Sequence, residues 1–117
     1  MAAPNLVGLT TVTAKVIGNT VPTTATAFLT NSADSNQVYK VNTIMVTNSN
    51  SVPISVTLDL YKSSTPYYIG YGITVPVGAT VVLLAKDNSI YMEEDDSLRS
   101  NAAVAGLYTV TSYEVIG

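Results

Sequence analysis

Ile54-Ser55-Val56-Thr57-Leu58-Asp59-Leu60-Tyr61 alternates apolar and polar side chains from end to end. In an extended chain successive side chains point to opposite faces. Ile54, Val56, Leu58 and Leu60 therefore share one side, and Ser55, Thr57 and Asp59 the other. The pattern predicts a strand whose apolar face lines a core. On either side of this stretch β-branched residues dominate, and hydroxyls, Gly or Pro interrupt every helical window. Further strands are expected at Thr10 to Ile17, Ala25 to Thr30, Val38 to Thr47, Tyr67 to Val75, Thr80 to Ala85, Ile90 to Met92 with Ser97 to Ala103 after a turn, and Leu107 to Ile116. About eight short strands at regular spacing describe a single-domain, all-β antiparallel sandwich or jelly roll.

Within Val38 to Thr47 the apolar parity shifts, from Tyr39 and Val41 to Ile44 and Val46. Either a bulge near Asn42-Thr43 or burial of both faces produces that shift, and a central strand is the favoured reading. Pro53 and Pro66 stand at strand starts, where a missing amide donor does no harm. Turn-forming residues cluster at Asn31 to Asn36, Asn48 to Ser51, Pro76 to Gly78 and Lys86 to Asn88. No linker divides the chain, so residues 9–117 are expected to form one domain. Residues 1–8 carry no strong pattern and read as an N-terminal arm, either flexible or ordered against a partner.

Composition narrows the chemistry. The 117 residues include no His, Cys or Trp, which removes the commonest proton shuttle, the thiolate nucleophile and the preferred zinc ligands. Charged residues make up 11% and the net charge is −3, so hydroxyls and amides must cover much of the surface, and such a surface is cheap to bury against protein. Five basic residues are too few for the cationic stripe that nucleic-acid binding needs. The longest aliphatic run, Val81 to Ala85, is far short of a bilayer span. The N-terminus lacks the basic flank and apolar stretch of a signal peptide, so synthesis in a cytosol is expected.

Among candidate sites, the acidic run Glu93-Glu94-Asp95-Asp96 offers oxygen ligands to a hard cation, but it lacks the alternating spacing and central Gly of an EF-hand loop. A solvated strand-connecting turn closed by nearby Arg99 is the stronger reading, and no metal or other cofactor is expected. Lys62 beside Ser63 and Ser64 is a Ser–Lys pair on paper only, because the spacing fits no catalytic motif. Neither a P-loop nor a GxGxxG occurs, and no enzymatic activity is expected. Tyr67, Tyr68 and Tyr71, with Tyr61 upstream, group aromatics around one strand pair. Ordinary cross-strand packing accounts for such a group, but Tyr67, Tyr68 and Tyr71 are also the best candidates for a protein interface or sugar platform.

From Val38 onward the chain resembles small virion structural proteins of tailed bacteriophages, of the kind met in cyanophages and other marine phages. The matching stretches are Val38 to Asn48, Tyr68-Ile69, Ile73 to Leu84, Ile90 to Arg99 and Val110 to Ile116, with a weaker match at Ala25 to Asn31. That group often has Gly in the turn where this chain has Asp95. The resemblance implies a β-sandwich or jelly-roll protein of the virion, with a capsid decoration (cement) role as the leading expectation. The implied partners are the major capsid protein or other virion proteins. The low charge, the hydroxyl-rich surface and the tyrosine group around Tyr67 to Tyr71 suit a buried, symmetric contact, so a homo-oligomer is expected, with a trimer suggested by the threefold sites of capsid surfaces. A neck or tail component, or a receptor- or carbohydrate-binding sandwich, is the alternative.

Overall fold

The computed structural model describes residues 11–117; the arm expected at 1–8 lies outside them. Nine strands follow in order: β1 (Val12–Thr20), β2 (Thr26–Thr30), β3 (Val38–Asn48), β4 (Ile54–Lys62), β5 (Thr65–Val75), β6 (Thr80–Leu84), β7 (Ile90–Met92), β8 (Ser97–Ala102) and β9 (Leu107–Ile116). One sheet has the order β1-β9-β3-β6, with β7 also on β3, and the other has the order β2-β8-β4-β5. All pairings are antiparallel. This is the strand order of a jelly roll, two Greek keys packed face to face.

The difference between about eight expected strands and nine observed lies in one lane. β6 pairs with Ile44–Thr47 of β3 and β7 with Tyr39–Val41. The two are halves of a single lane, interrupted by a 3-10 turn at Lys86–Asn88. The sequence pattern groups Ile90–Met92 with the strand after it, whereas β7 and β8 lie in different sheets. The acidic turn between them crosses the sandwich. At the N-terminal end, β1 runs on to Thr20, because Gly18, Asn19 and Thr20 stay in register with Val110, Thr109 and Tyr108 of β9.

Core positions follow the period of two. Ile54, Val56 and Leu58 are fully buried. Leu60, near the end of β4, packs from the margin. β3 is central, between β9 on one side and β6 with β7 on the other. Its register against β9 shifts between Val41 and Thr43, so Asn42 is the bulged residue and the parity change expected from the sequence has its cause. The bulge lets Tyr39 and Val41 on one side of it and Ile44 and Val46 on the other all reach the interior.

Side chains between the sheets form two clusters, one around Val46, Ile54, Val56, Val75 and Leu107, the other around Val41, Ile44, Leu58, Met92 and Leu98. Leu83 packs against both. Each buried aliphatic side chain contributes on the order of 1.5–3 kcal/mol relative to exposure, which lets the chain do without disulfide or metal.

Candidate interaction surfaces

Tyr67, Tyr68 and Tyr71 lie on β5 and are all exposed, Tyr71 most at 71%. They do not form one group. Tyr67 stands opposite Leu60 and Tyr68 opposite Asp59, so the two point to different faces. Tyr68 and Tyr71 are three apart, which in a regular strand would also separate them. Between Tyr68, opposite Asp59, and Gly70, opposite Leu58, β5 carries one extra residue, and a second is inserted before Ile73. The first bulge reverses the parity and brings Tyr71 beside Tyr68, with ring centroids 4.8 Å apart in an edge-to-face arrangement. Gly72, at φ 60°, takes the left-handed conformation that the second bulge needs, and its N–H donates to Thr57 Oγ1 at 3.1 Å.

The outer face of the same sheet carries a charge pair. Register places Arg99 of β8 opposite Asp59 of β4. Arg99 donates from Nε to Asp59 Oδ1 at 3.0 Å and from Nη2 to Oδ2 at 3.3 Å, a fork that suits the planar guanidinium. The guanidinium also sits 3.9 Å above the centre of the Tyr61 ring. Arg99 therefore does not close the acidic run, as the sequence had suggested. Strand register aligns it with a partner forty residues away.

Lys62 closes the acidic run instead. Its Nζ donates to Glu93 Oε1 at 3.2 Å and to Asp96 Oδ1 and Oδ2 at 3.2 and 3.0 Å. Burial alone would lower the ammonium pKa, but the hydrogen bonds and charges of Asp96 and Glu93 outweigh it and raise the value above 10.5. A lysine held charged in this way supplies no base to Ser63. The hollow of ≈ 320 Å³ lined by Lys62, Ser63 and Glu93–Asp96 already holds a cation, the lysine head group. Among the described residues no group of three or more Asp or Glu is placed to hold a metal ion.

The acidic turn is also not solvated as expected. Glu94 and Asp96 are buried. Glu94 Oε2 accepts the Asn36 N–H at 2.7 Å, and Asp96 Oδ2 accepts the Glu93 N–H at 2.9 Å. Asn31, fully buried, donates from Nδ2 to the carbonyls of Gln37 and Met92 and accepts from Ser35 Oγ. Asn48 does the same at another loop, donating to the carbonyls of Val52 and Val75 and accepting from the Asn50 N–H. The sequence marks both asparagines as turn residues, and in the fold they are buried hubs. In the folded chain the alternation of buried with more exposed residues from Met92 through Ser100 runs straight through the acidic turn, although the four acidic residues in a row show no such alternation in the sequence.

The remaining surface of note is β1. It pairs with β9 over nine residues, Val12↔Ile116 to Thr20↔Tyr108, with no shift of register. Its other edge has no partner strand among the described residues. Val12 and Val16 are exposed by 60% and 69%, and Lys15 is the only charged residue in the strand. Beside it, Gly18, Asn19, Thr20, Tyr108, Thr109 and Val110 line an open notch, mostly apolar, of ≈ 320 Å³.

No protein-family model matches the chain, and no curated protein does. Among solved structures, a subunit described under "Bacillus endospore appendages form a novel family of disulfide-linked pili" is similar at a TM-score of 0.55 and 16% identity, over 97% of this chain and 95% of that one. The likeness extends over the whole sandwich, and what it shows is the fold. The disulfide linkage named for those pili has no counterpart here, since this chain contains no cysteine.

Proposed function

We propose that this chain is a non-enzymatic structural subunit that works by docking into a symmetric protein assembly, and that the assembly is a phage virion. In this reading it decorates the head as a cement protein, bridging copies of the major capsid protein. The observation that carries the docking role is β1, a regular, nearly uncharged edge strand with exposed valines. An edge of that kind is a template for another chain, and monomeric proteins usually blunt it. The virion context rests on the sequence resemblance from Val38 onward. A self-assembling role agrees with the pilus subunit of similar fold.

Copy number in purified particles tests the proposal. A cement protein is expected on the order of hundreds of copies per particle, and a neck or tail component about a dozen, as shell and axial symmetry dictate. Absence from purified particles would end the virion reading.

A second reading is favoured by Tyr68 and Tyr71, which present exposed rings side by side on the outer face of the other sheet. Such a face suits a sugar or receptor. Binding on a glycan array that disappears in a Tyr68→Ala/Tyr71→Ala variant would support a carbohydrate-binding module. An array with no signal from the unaltered chain would remove it.

A further inference from the structure

We infer that β1 is the contact between two copies of this chain, paired antiparallel about a two-fold axis that passes between their two Val16 residues, so that the β1-β9-β3 sheet runs on from one copy into the other. The inference rests on the docking role proposed above and specifies its geometry.

Backbone parity defines the open edge. Gly117 N–H donates to the Thr11 carbonyl at 3.0 Å and Val21 N–H to the Leu107 carbonyl at 2.9 Å. Both pairs continue the β1–β9 register, so the odd-numbered residues from Thr11 to Val21 turn their amides and carbonyls toward β9. Val12, Ala14, Val16, Gly18 and Thr20 turn theirs to the open side. None of the five is Pro or charged, and the strand has no bulge. The usual devices that spoil an edge are missing from it.

The sequence of β1 makes a second copy the fitting occupant. With Val16 opposite Val16 of the second copy, Ala14 falls opposite Gly18, Val12 opposite Thr20, and every outward donor and acceptor on both strands finds a partner. An added Cβ at Gly18 would meet nothing nearer than the Thr109 carbonyl at 3.9 Å, and the notch beside it stands open. In this register Ala14 of the second copy lies against that notch, with its Val12 and Val16 on either side. The two-fold axis thus sets the valines of each copy beside the notch of the other.

Charge selects the same register. It sets Lys15 opposite Ile17 of the second copy. Sliding to Ala14 opposite Val16 would put the two Lys15 side chains face to face, which is unfavourable. Sliding the other way would bring Pro22, with no N–H to donate, opposite Val12. Isologous two-fold contacts are also the commonest in soluble homo-oligomers.

Sedimentation equilibrium on the full chain, from micromolar to millimolar, tests the inference alongside two variants. Val16→Lys places like charges together on the axis. Val16→Pro removes an outward N–H that takes no part in the β9 ladder. The expected result is a mass that climbs from one copy to two for the unaltered chain, and one copy throughout for both variants. Their melting temperatures in dilute solution should match the unaltered chain, because Val16 is solvent-facing. A chain that stays at one copy, variants that still pair, or a mass of three copies would each overturn the two-fold contact. So would outward amides of β1 protected from exchange in the monomer, which would mean that the chain covers its own edge. A monomer still found in purified particles sinks this contact and leaves the virion role standing; a pairing chain absent from particles does the reverse.

Discussion

β1 and β5 are both edge strands, of nine and eleven residues, and they treat the exposed backbone in opposite ways. β5 is bulged twice in its pairing with β4 and carries Gly72 in a left-handed conformation. Its surplus of two residues over β4 is taken up in those bulges, and they twist it out of shape as a template for another strand. β1 keeps one register for nine residues and exposes valines on a strand with a single charge. This fold therefore treats the two edges differently. It spoils one edge with backbone geometry and uses it to show tyrosines, and it leaves the other intact.

The contrast depends first on the core beneath β4. The register of β5 shifts on either side of Leu58, which is fully buried. Leu58→Asp would place an unpaired charge in the core and is expected to abolish soluble folding, with both edges lost; the milder Leu58→Ala should cost about 3 kcal/mol in chemical denaturation. Normal melting of Leu58→Asp would mean that the register is wrong.

Asn48 holds the end of β5 through the Val75 carbonyl. Asn48→Ala leaves the buried Val75 carbonyl without its Asn48 donor, also removes the part-buried bond to the Val52 carbonyl, and should cost about 2 kcal/mol. Faster amide exchange is expected at the loop from Asn48 to Pro53, while β1 stays unchanged. An equal loss of protection in β1 would show that the two edges are not independent.

Substitutions in the acidic turn have smaller effects, of opposite sign at neighbouring positions. Glu94→Ala strands the Asn36 N–H and should cost about 1 kcal/mol. Asp95 sits at φ 72°, so Asp95→Gly should raise stability by roughly 0.5 kcal/mol by relieving a left-handed side chain. A neutral result at both positions would return the turn to the solvated loop first expected from the sequence.

The smallest effect is one of pH. The pKa of Lys62 is raised in the folded chain, so its contribution to stability is complete below pH 10.5 and fades as pH rises beyond that value. Burial, with the nearby Tyr39, also raises the Tyr113 pKa above 10.0, and it acts in the same direction. Stability should therefore fall in alkali, and Lys62→Met should flatten that fall. An unchanged alkaline slope in the variant would remove the ion pair from the account.

The sandwich was legible because burial of one face imposes a period of two, clearest from Ile54 to Tyr61, and because Gly, Pro and Asn mark the turns. Even the Asn42 bulge left its mark as a change of parity. What could not be read depends on partners distant in sequence. Arg99 lies three residues beyond Asp96, but strand register gives it Asp59. The acidic run looks solvated until the loop from Asn31 to Gln37 folds over it. Tyr68 and Tyr71 share a face only because of a bulge whose position is set by the pairing with β4, and nothing in the spacing of the tyrosines reveals it. The open edge of β1 was equally hidden, since a strand is an edge only by virtue of its place in the sheet.

The central claim is that β1 is the edge used in assembly and β5 the edge withheld from it. Amide exchange followed residue by residue in the dilute chain and in the assembled state tests it most directly. Val12, Ala14, Val16, Gly18 and Thr20 are expected to gain protection on assembly, while the exposed edge of β5 is not. Protection appearing on β5, or on neither strand, would contradict it.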